Sequence, residues 1–90
     1  MRIMRVDKFL KVSRLIKRRT VAKEACDKAR ITINGRTAKA GGEVAAGDVI
    51  TIQFGNGVVA ARVLKIADSI AKEDAGTMYE IISETDQAVP

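Results

Sequence analysis

The sequence of 90 residues has no histidine, no tryptophan and a single cysteine, Cys26. These absences exclude catalytic triads built on histidine, zinc sites of histidine and cysteine, and paired-cysteine redox centres. One cysteine also cannot form an intrachain disulfide, and Cys26 is predicted to be a buried packing residue. We therefore expect no metal site and no cofactor, and we expect the protein not to be an enzyme.

Aromatic residues are equally scarce, since only Phe9, Phe54 and Tyr79 occur. Recognition of nucleic acid by rows of aromatic rings that stack on bases is therefore not predicted. No apolar run approaches the roughly 18 residues that a membrane span requires. No apolar segment follows the basic N-terminus as it would in a secretory signal. The expected location is cytoplasmic, and no membrane partner is predicted.

Positive charge is abundant and unevenly placed. Residues 1–39 contain 13 Lys or Arg and three acids, a balance of +10, whereas residues 40–90 contain three bases and eight acids, a balance of −5. A polyanion is the natural partner for such a concentrated field, because the neutralisation of phosphates releases condensed counterions. The charge pattern therefore favours a nucleic-acid-binding protein over a merely solvated basic surface.

Two helices are predicted at the N-terminal end. The first covers residues 7–18, with Asp7 as the N-cap whose carboxylate accepts from free backbone N–H groups of the first turn. The second covers residues 20–29, with Thr20 as its N-cap and a face of small apolar residues that allows close helix packing. The run Lys17-Arg18-Arg19 lies at the turn between them.

Short strands follow the helices, because the apolar period changes to two after Ala29. Strands are predicted at 31–33, 36–39, 49–54, 58–66 and 78–82, with a turn at Asn34-Gly35 and a hairpin loop at 55–57. Residues 68–76 fit either a helical turn or a loop. The predicted fold class is α+β, with an N-terminal helix pair packed on a small, mostly antiparallel sheet.

The basic side chains on this outline form the candidate RNA-binding site. It consists of Arg5, Lys8, Lys11, Lys17, Arg18, Arg19, Lys23, Arg36 and Lys39. A broad basic surface with few aromatics suits phosphate and 2′-hydroxyl contacts on structured RNA, which is recognised by shape more than by sequence. Reversal of one such charge, Arg19→Glu, is expected to abolish RNA binding and to leave the melting temperature nearly unchanged.

Several ordered motifs resemble the RNA-binding domain of small-subunit ribosomal protein S4. They are Arg5-Val6-Asp7-Lys8-Phe9-Leu10, Lys17-Arg18-Arg19-Thr20, Ile31-Thr32-Ile33-Asn34-Gly35, Lys39 and Gly47-Asp48. The chain is similar to the compact one-domain members of this family that act in ribosome-associated quality control, and to its small heat-shock members. The resemblance implies an S4-type domain at 4–66, an extension with a last strand at 67–82 and a flexible tail at 83–90.

The resemblance also implies partners. These are rRNA and tRNA on a large ribosomal subunit that still carries peptidyl-tRNA, with a protein partner in the addition of C-terminal alanine tails; a monomer is expected. A general factor for structured RNA or ribosomes stays open as an alternative. A basic peripheral membrane module is a second alternative, because a basic amphipathic helix can lie on anionic lipid.

Two positions depart from the family pattern. The family usually begins close to the Arg-x-Asp motif, whereas three residues precede Met4 here, so Met1 and Met4 both stay open as the native start. The family commonly has glycine where this chain has Ala29. A glycine suits a left-handed helix C-cap, and alanine in that conformation costs about 1 kcal/mol.

Overall fold

The structure, a computed structural model, describes residues 2–55 and 57–86. The described part contains two α-helices, α1 (Val6–Val12) and α2 (Arg19–Asp27), and a 3-10 helix at Lys72–Met78. Its strands are β1 (Met4–Arg5), β2 (Ile31–Ile33), β3 (Arg36–Thr37), β4 (Glu43–Val44), β5 (Val49–Phe54), β6 (Gly57–Val63) and β7 (Tyr79–Asp86). The predicted α+β fold with an N-terminal helix pair is confirmed.

Five strands form one antiparallel sheet in the order β3-β2-β5-β6-β7. The central register pairs Ile31 with Ile52 and Ile33 with Ile50. Because successive side chains of a strand point to opposite faces, Ile31, Ile50 and Ile52 all face the interior and are buried. Strands β1 and β4 form a second, two-stranded antiparallel sheet that sequence patterning did not predict.

One apolar core joins the helices to the sheet. Phe9 and Leu10 of α1 and Cys26 of α2 pack in the same cluster as the buried isoleucines of β2 and β5. Cys26 is 4% exposed, so the prediction that it is a packing residue is confirmed. Burial raises the pKa of its thiol, and the charges of Asp7 and Asp27 add to that effect, which keeps the group protonated and unreactive.

Helix α1 differs from the prediction of 7–18 at both ends. It begins one residue earlier, so that Arg5 is the N-cap and Asp7 lies inside the first turn; the prediction of Asp7 as the N-cap was wrong. It ends six residues earlier, because Arg14 adopts a left-handed φ of 64° and the chain turns back. The N–H of Ile16 then donates to the carbonyl of Leu10 at 3.0 Å.

Helix α2 also begins one residue before its prediction of 20–29. Arg18 is the N-cap, and Thr20 lies within the helix instead of capping it. The helix ends at Asp27, and Ala29 follows with a left-handed φ of 58°. The N–H of Arg30 closes this turn on the carbonyl of Ala25 at 2.9 Å. Alanine therefore occupies the strained conformation that glycine adopts without cost.

The strands after residue 35 have shifted bounds. Strand β3 ends at Thr37, and β6 ends at Val63 instead of residue 66. Strand β7 extends to Asp86 instead of residue 82, because its pairing with β6 continues past a bulge at Ile82; residues 83–86 therefore belong to the sheet and not to the predicted tail. Asn56 of the predicted hairpin loop and residues 87–90 of the predicted tail lie outside the described residues.

Candidate nucleic-acid interface

The structure places all but one of the nine predicted RNA-binding side chains at exposed positions. Those exposed are Arg5, Lys11, Lys17, Arg18, Arg19, Lys23, Arg36 and Lys39, whereas Lys8 is half-buried. Five of them line one of two cavities around α1 and α2, Arg36 and Lys39 line a third, and Lys8 and Arg18 line none of these.

The first group, here called the Asp7 cluster, consists of Arg5, Asp7, Arg19 and Lys23. These residues, with Thr20, line a shallow cavity of about 270 Å³. Arg5 donates from Nε to Asp7 Oδ1 at 3.2 Å and from Nη2 to Oδ2 at 3.1 Å. Arg19, the first residue of α2, places its Nε 3.5 Å from the same Oδ2. One carboxylate therefore holds two guanidinium groups from different elements.

Asp7 is the buried centre of this cluster. Its side chain is 2% exposed, while those of Arg5 and Arg19 remain about half exposed. Burial is the largest single influence on the pKa of Asp7 and would raise it. The hydrogen bonds from Arg5 and from the Lys8 backbone N–H, with the charges of Arg19 and Arg5, outweigh burial and lower the pKa. Asp7 is therefore an ionised anchor that fixes the direction of two exposed arginines.

The second group, here called the Lys11 cluster, consists of Lys11, Arg14 and Lys17. With residues 68–70 and Val12 they line a polar cavity of about 310 Å³. Sequence reasoning left Arg14 out of the candidate site. Its inclusion depends on the left-handed turn that ends α1 at this point, and no glycine or proline marks that turn in the sequence.

Lys8 lies beside the Lys11 cluster, because its partner Asp68 also lines that polar cavity. Its Nζ lies 3.3 Å from Asp68 Oδ1, and Arg2 lies 3.6 Å from the other oxygen of Asp68. Exposed pairs of this kind contribute at most about 1 kcal/mol, so they position the side chains more than they stabilise the fold. The pair joins the start of α1 to the segment that follows β6.

Arg36 and Lys39 lie beside strand β4. They line a broad depression with Gly41, Gly42 and Glu43. Glu43 is the ladder partner of Arg5, so this pair flanks the Asp7 cluster at the edge of the two-stranded sheet. Arg18, the N-cap of α2, lies in sequence between Lys17 of one cluster and Arg19 of the other.

The arginines and lysines brought together here are all hydrogen-bond donors. Guanidinium groups can bind phosphate through two parallel N–H donors, and lysines act as point charges. Among residues 2–55 and 57–86, no group of three or more Cys, Asp or Glu side chains is arranged to hold a metal ion. No helix within this described part is long and apolar enough to cross a membrane. The chemistry that the arrangement supports is the recognition of a polyanion.

Comparison of the sequence with known families and proteins agrees with this geometry. Residues 4–50 match the family described as "S4 domain". The chain is 57% identical over 82 residues to a Streptococcus pneumoniae protein named "RQC P-site tRNA stabilizing factor", with 91% of this chain and 93% of that protein covered. A Bacillus subtilis protein of the same name is 54% identical over 81 residues, with 90% and 94% covered.

Solved structures share the fold. Heat Shock Protein 15 of Vibrio cholerae, described as trimeric, superposes with a TM-score of 0.82 at 26% identity, covering 91% of this chain and 84% of that one. The hypothetical protein HP1423 gives a TM-score of 0.77 at 33% identity, covering 89% and 98%. The predicted resemblance is confirmed: the chain belongs to the S4 domain family and, within it, to the family of RQC P-site tRNA stabilizing factors.

Proposed function

We propose that this protein is a non-enzymatic RNA-binding factor that acts in ribosome-associated quality control. It binds rRNA and tRNA on the large ribosomal subunit and stabilises peptidyl-tRNA while the stalled chain is extended. Family membership supports the RNA-binding role, and the name that the curated relatives share supports a role at P-site tRNA. The observation that carries the proposal is the Asp7 cluster, in which a buried carboxylate presents two arginines to solvent.

The Asp7 cluster suits phosphate because its arginines are oriented before RNA arrives. Arg19 faces Asp7 through Nε, which leaves its two Nη groups for a phosphate. Fixing these side chains in the free protein lowers the entropy that binding would otherwise cost. Lys23, which lines the same cavity, adds a third positive charge.

The contacts to RNA are assigned residue by residue. Arg5, Arg18, Arg19 and Lys23 contact phosphates on the α2 side, Lys11 and Lys17 do so with Arg14 on the α1 side, and Arg36 and Lys39 extend the surface at its flank. Lys8 contributes mainly through its pair with Asp68. Two clusters joined by the segment 17–19 match the shape-based recognition of folded RNA, whose phosphates approach a protein from more than one strand.

The remaining expectations are part of the same proposal. The protein acts as a cytoplasmic monomer, and a second protein that adds the alanine tails contacts it on the ribosome. A general ribosome-binding factor is the second candidate, because the match to the S4 domain supports RNA binding without specifying tRNA. The two candidates differ in whether binding depends on peptidyl-tRNA.

Co-sedimentation distinguishes these candidates. The protein is mixed with small subunits, intact ribosomes, empty large subunits and large subunits carrying peptidyl-tRNA, and the salt is raised stepwise. Preference for the last particle supports the proposal, while equal binding to both kinds of large subunit supports the general factor. Binding to none of the particles at low salt would contradict both. The logarithm of the binding constant is expected to fall by roughly 0.7–0.9 per phosphate contact for each log unit of salt concentration.

Charge reversal at Lys23 provides the matched variant for this experiment. Lys23 is exposed and forms no ion pair with any of the described residues, so Lys23→Glu should weaken binding without loss of stability. Lys65→Glu makes the same change at an exposed lysine after β6 and should leave binding within about twofold of the wild type, since surface substitutions away from a site have small effects. Equal losses in the two variants would mean that only net charge matters.

A further inference from the structure

A cavity of about 380 Å³ lies between helix α2 and the end of strand β5. Its walls combine the apolar side chains of Leu15, Val21 and Phe54 with the cations Lys17, Lys28 and Arg30. We propose that this cavity holds one unpaired nucleotide of the bound RNA, with the base against Phe54 and the phosphate at Lys17 and Arg30. The proposal rests on the RNA-binding function above and adds to it a site for a single base.

Phe54 is the exposed member of a small set of aromatic residues. Phe9 is buried in the core and Tyr79 packs against that core, whereas Phe54 is 43% exposed. Val21, on the opposite wall of the cavity, is 48% exposed. An aromatic ring that stays in water beside cations offers a flat surface for stacking, and every base has a face that can use it.

Backbone hydrogen bonds fix the cavity walls. The N–H of Arg30 donates to the carbonyl of Ala25 at 2.9 Å, and the N–H of Gln53 donates to the carbonyl of Arg30 at 2.9 Å. These bonds hold the end of α2 beside the end of β5, so Arg30 and Phe54 line the same space. Gln53 also lines it, and its side-chain amide can donate to or accept from the edge of a base.

The charges of the cavity favour a phosphate. Glu24 is its one acidic lining residue among those described, and the Nζ of Lys28 lies 2.8 Å from its carboxylate. That hydrogen bond, with the charges of Lys28 and Arg30, lowers the pKa of Glu24. Lys17 and Arg30 have no ion-pair partner in the described part of the chain, so they are available for a ligand.

Continuity with the Lys11 cluster identifies the occupant as RNA. Lys17 lines both this cavity and the polar cavity of that cluster. A backbone that follows the Lys11 cluster, past Asp68 in the same cavity, therefore reaches the Phe54 cavity at Lys17. An apolar protein side chain would fill the cavity less well, because it would cover Lys17 and Arg30 without pairing them.

The first test compares affinities for large subunits carrying peptidyl-tRNA. Phe54→Ala should weaken binding roughly 5- to 150-fold, the range for loss of one stacked base, whereas Phe54→Trp should keep it within about twofold. Leu64→Ala is the control, because Leu64 is also 43% exposed and lies outside the cavity. Thermal melts establish that each variant is folded. Unchanged binding by Phe54→Ala, or equal loss in Phe54→Trp, would overturn the proposal.

A second test identifies what lies in the cavity. Benzoylphenylalanine at position 54 should crosslink to RNA when the complex with these large subunits is irradiated, and the same probe at position 64 should not. Crosslinks to protein alone would assign the cavity to a protein partner and refute the nucleotide site. Failure of the proposed function has a different signature, since the wild-type protein itself would then not sediment with large subunits.

Discussion

Ionic contacts differ between the Asp7 cluster in the basic half of the chain and strands β6 and β7 in the acidic half. In the basic half, the buried carboxylate of Asp7 contacts both Arg5 and Arg19, which stay exposed. In the acidic half, one cation faces one acid, because Arg62 of β6 lies 3.9 Å from Glu80 of β7. Both side chains are about half exposed. The first arrangement orients positive charge without cancelling it at the surface. The second neutralises charge across a strand pair and leaves nothing to bind a polyanion.

This contrast separates the work of the two halves. The basic half supplies a surface whose excess charge is held in place, and the acidic half supplies strands β5–β7 that complete the sheet beneath it. Although the basic half has few acids, Asp7 therefore has a large effect on its surface, because it orients two arginines. Variants that disturb one half and spare the other test whether the division is real.

The largest effect is expected from reversal of the whole Lys11 cluster. Lys11→Glu, Arg14→Glu and Lys17→Glu together should weaken binding to large subunits more than about 100-fold, because several phosphate contacts become repulsive. The paired reversal Lys65→Glu and Lys72→Glu in the acidic half should have little effect. Similar losses in both variants, measured by co-sedimentation at fixed salt, would remove the distinction between the halves.

Arg19→Glu is expected to damage both binding and stability. The new carboxylate would face Asp7 Oδ2, which Arg19 Nε now approaches to 3.5 Å, so stability should fall by roughly 1–3 kcal/mol, discounted for the exposure of Arg19. The sequence-based expectation of an unchanged melting temperature therefore needs revision. Urea denaturation measures the loss.

A double variant isolates the cause of that loss. Adding Asp7→Asn to Arg19→Glu removes the repulsion, so the double variant should be more stable than the sum of the two single losses predicts, and it should recover none of the RNA binding. Lys23→Glu, in the same cavity but without a contact to Asp7 among the described bonds, should keep the wild-type denaturation midpoint. If the losses of the two single variants simply add in the double variant, Asp7 is not the group that Arg19 faces.

Acid should weaken the fold through Asp7. Its pKa is lowered in the folded state, so its contribution to stability is fully present above the unfolded value of about 4 and is lost as pH falls through the folded pKa. The urea concentration at the midpoint of unfolding, measured from pH 7 to pH 2, should therefore decrease once the pH is below about 4. The Asp7→Asn variant should be less stable at pH 7 and should show a shallower fall. Parallel curves for the two proteins would contradict this assignment.

The smallest effect is expected at the end of α2. Ala29 has a φ of 58°, so Ala29→Gly should stabilise the protein by about 0.5–1 kcal/mol and leave RNA binding unchanged. Ala71 is also exposed but has a φ of −63°, so Ala71→Gly should be neutral or destabilising by a similar amount. A thermal melt distinguishes the two variants. Stabilisation at both positions would mean that the left-handed φ of Ala29 is not what makes Ala29→Gly stabilising.

Much of the fold was predictable from local pattern. Alternation at β2 and β5 identified buried strands, and Asn34 and Gly35 both adopt the positive φ that their sequence predicts. The end of α1 was not predictable, because Arg14 turns the chain in a conformation that its residue type does not favour. Nothing local to the sequence marks such a turn.

The candidate site was predictable as a set of charges and not as an arrangement. Local spacing suggested a capping role for Asp7, and only the packing of α2 against α1 brings Arg19 to it. Likewise, Lys8 meets Asp68, which lies 60 residues away along the chain. Long-range contacts of this kind decide which cations are free, and a pattern within one helix carries no information about them.

The short ladder between β1 and β4 has a consequence for how the protein is made. Met4 pairs with Val44 and Arg5 with Glu43, so about forty residues separate the partners. A ribosome releases the chain from its N-terminus, and the cationic segment emerges before the strand that sets Arg5 in place. An incomplete chain that stops before residue 43 therefore has the charge of an RNA-binding protein without its shape. The two-stranded sheet at Arg5 can therefore form only after β4 has been synthesised.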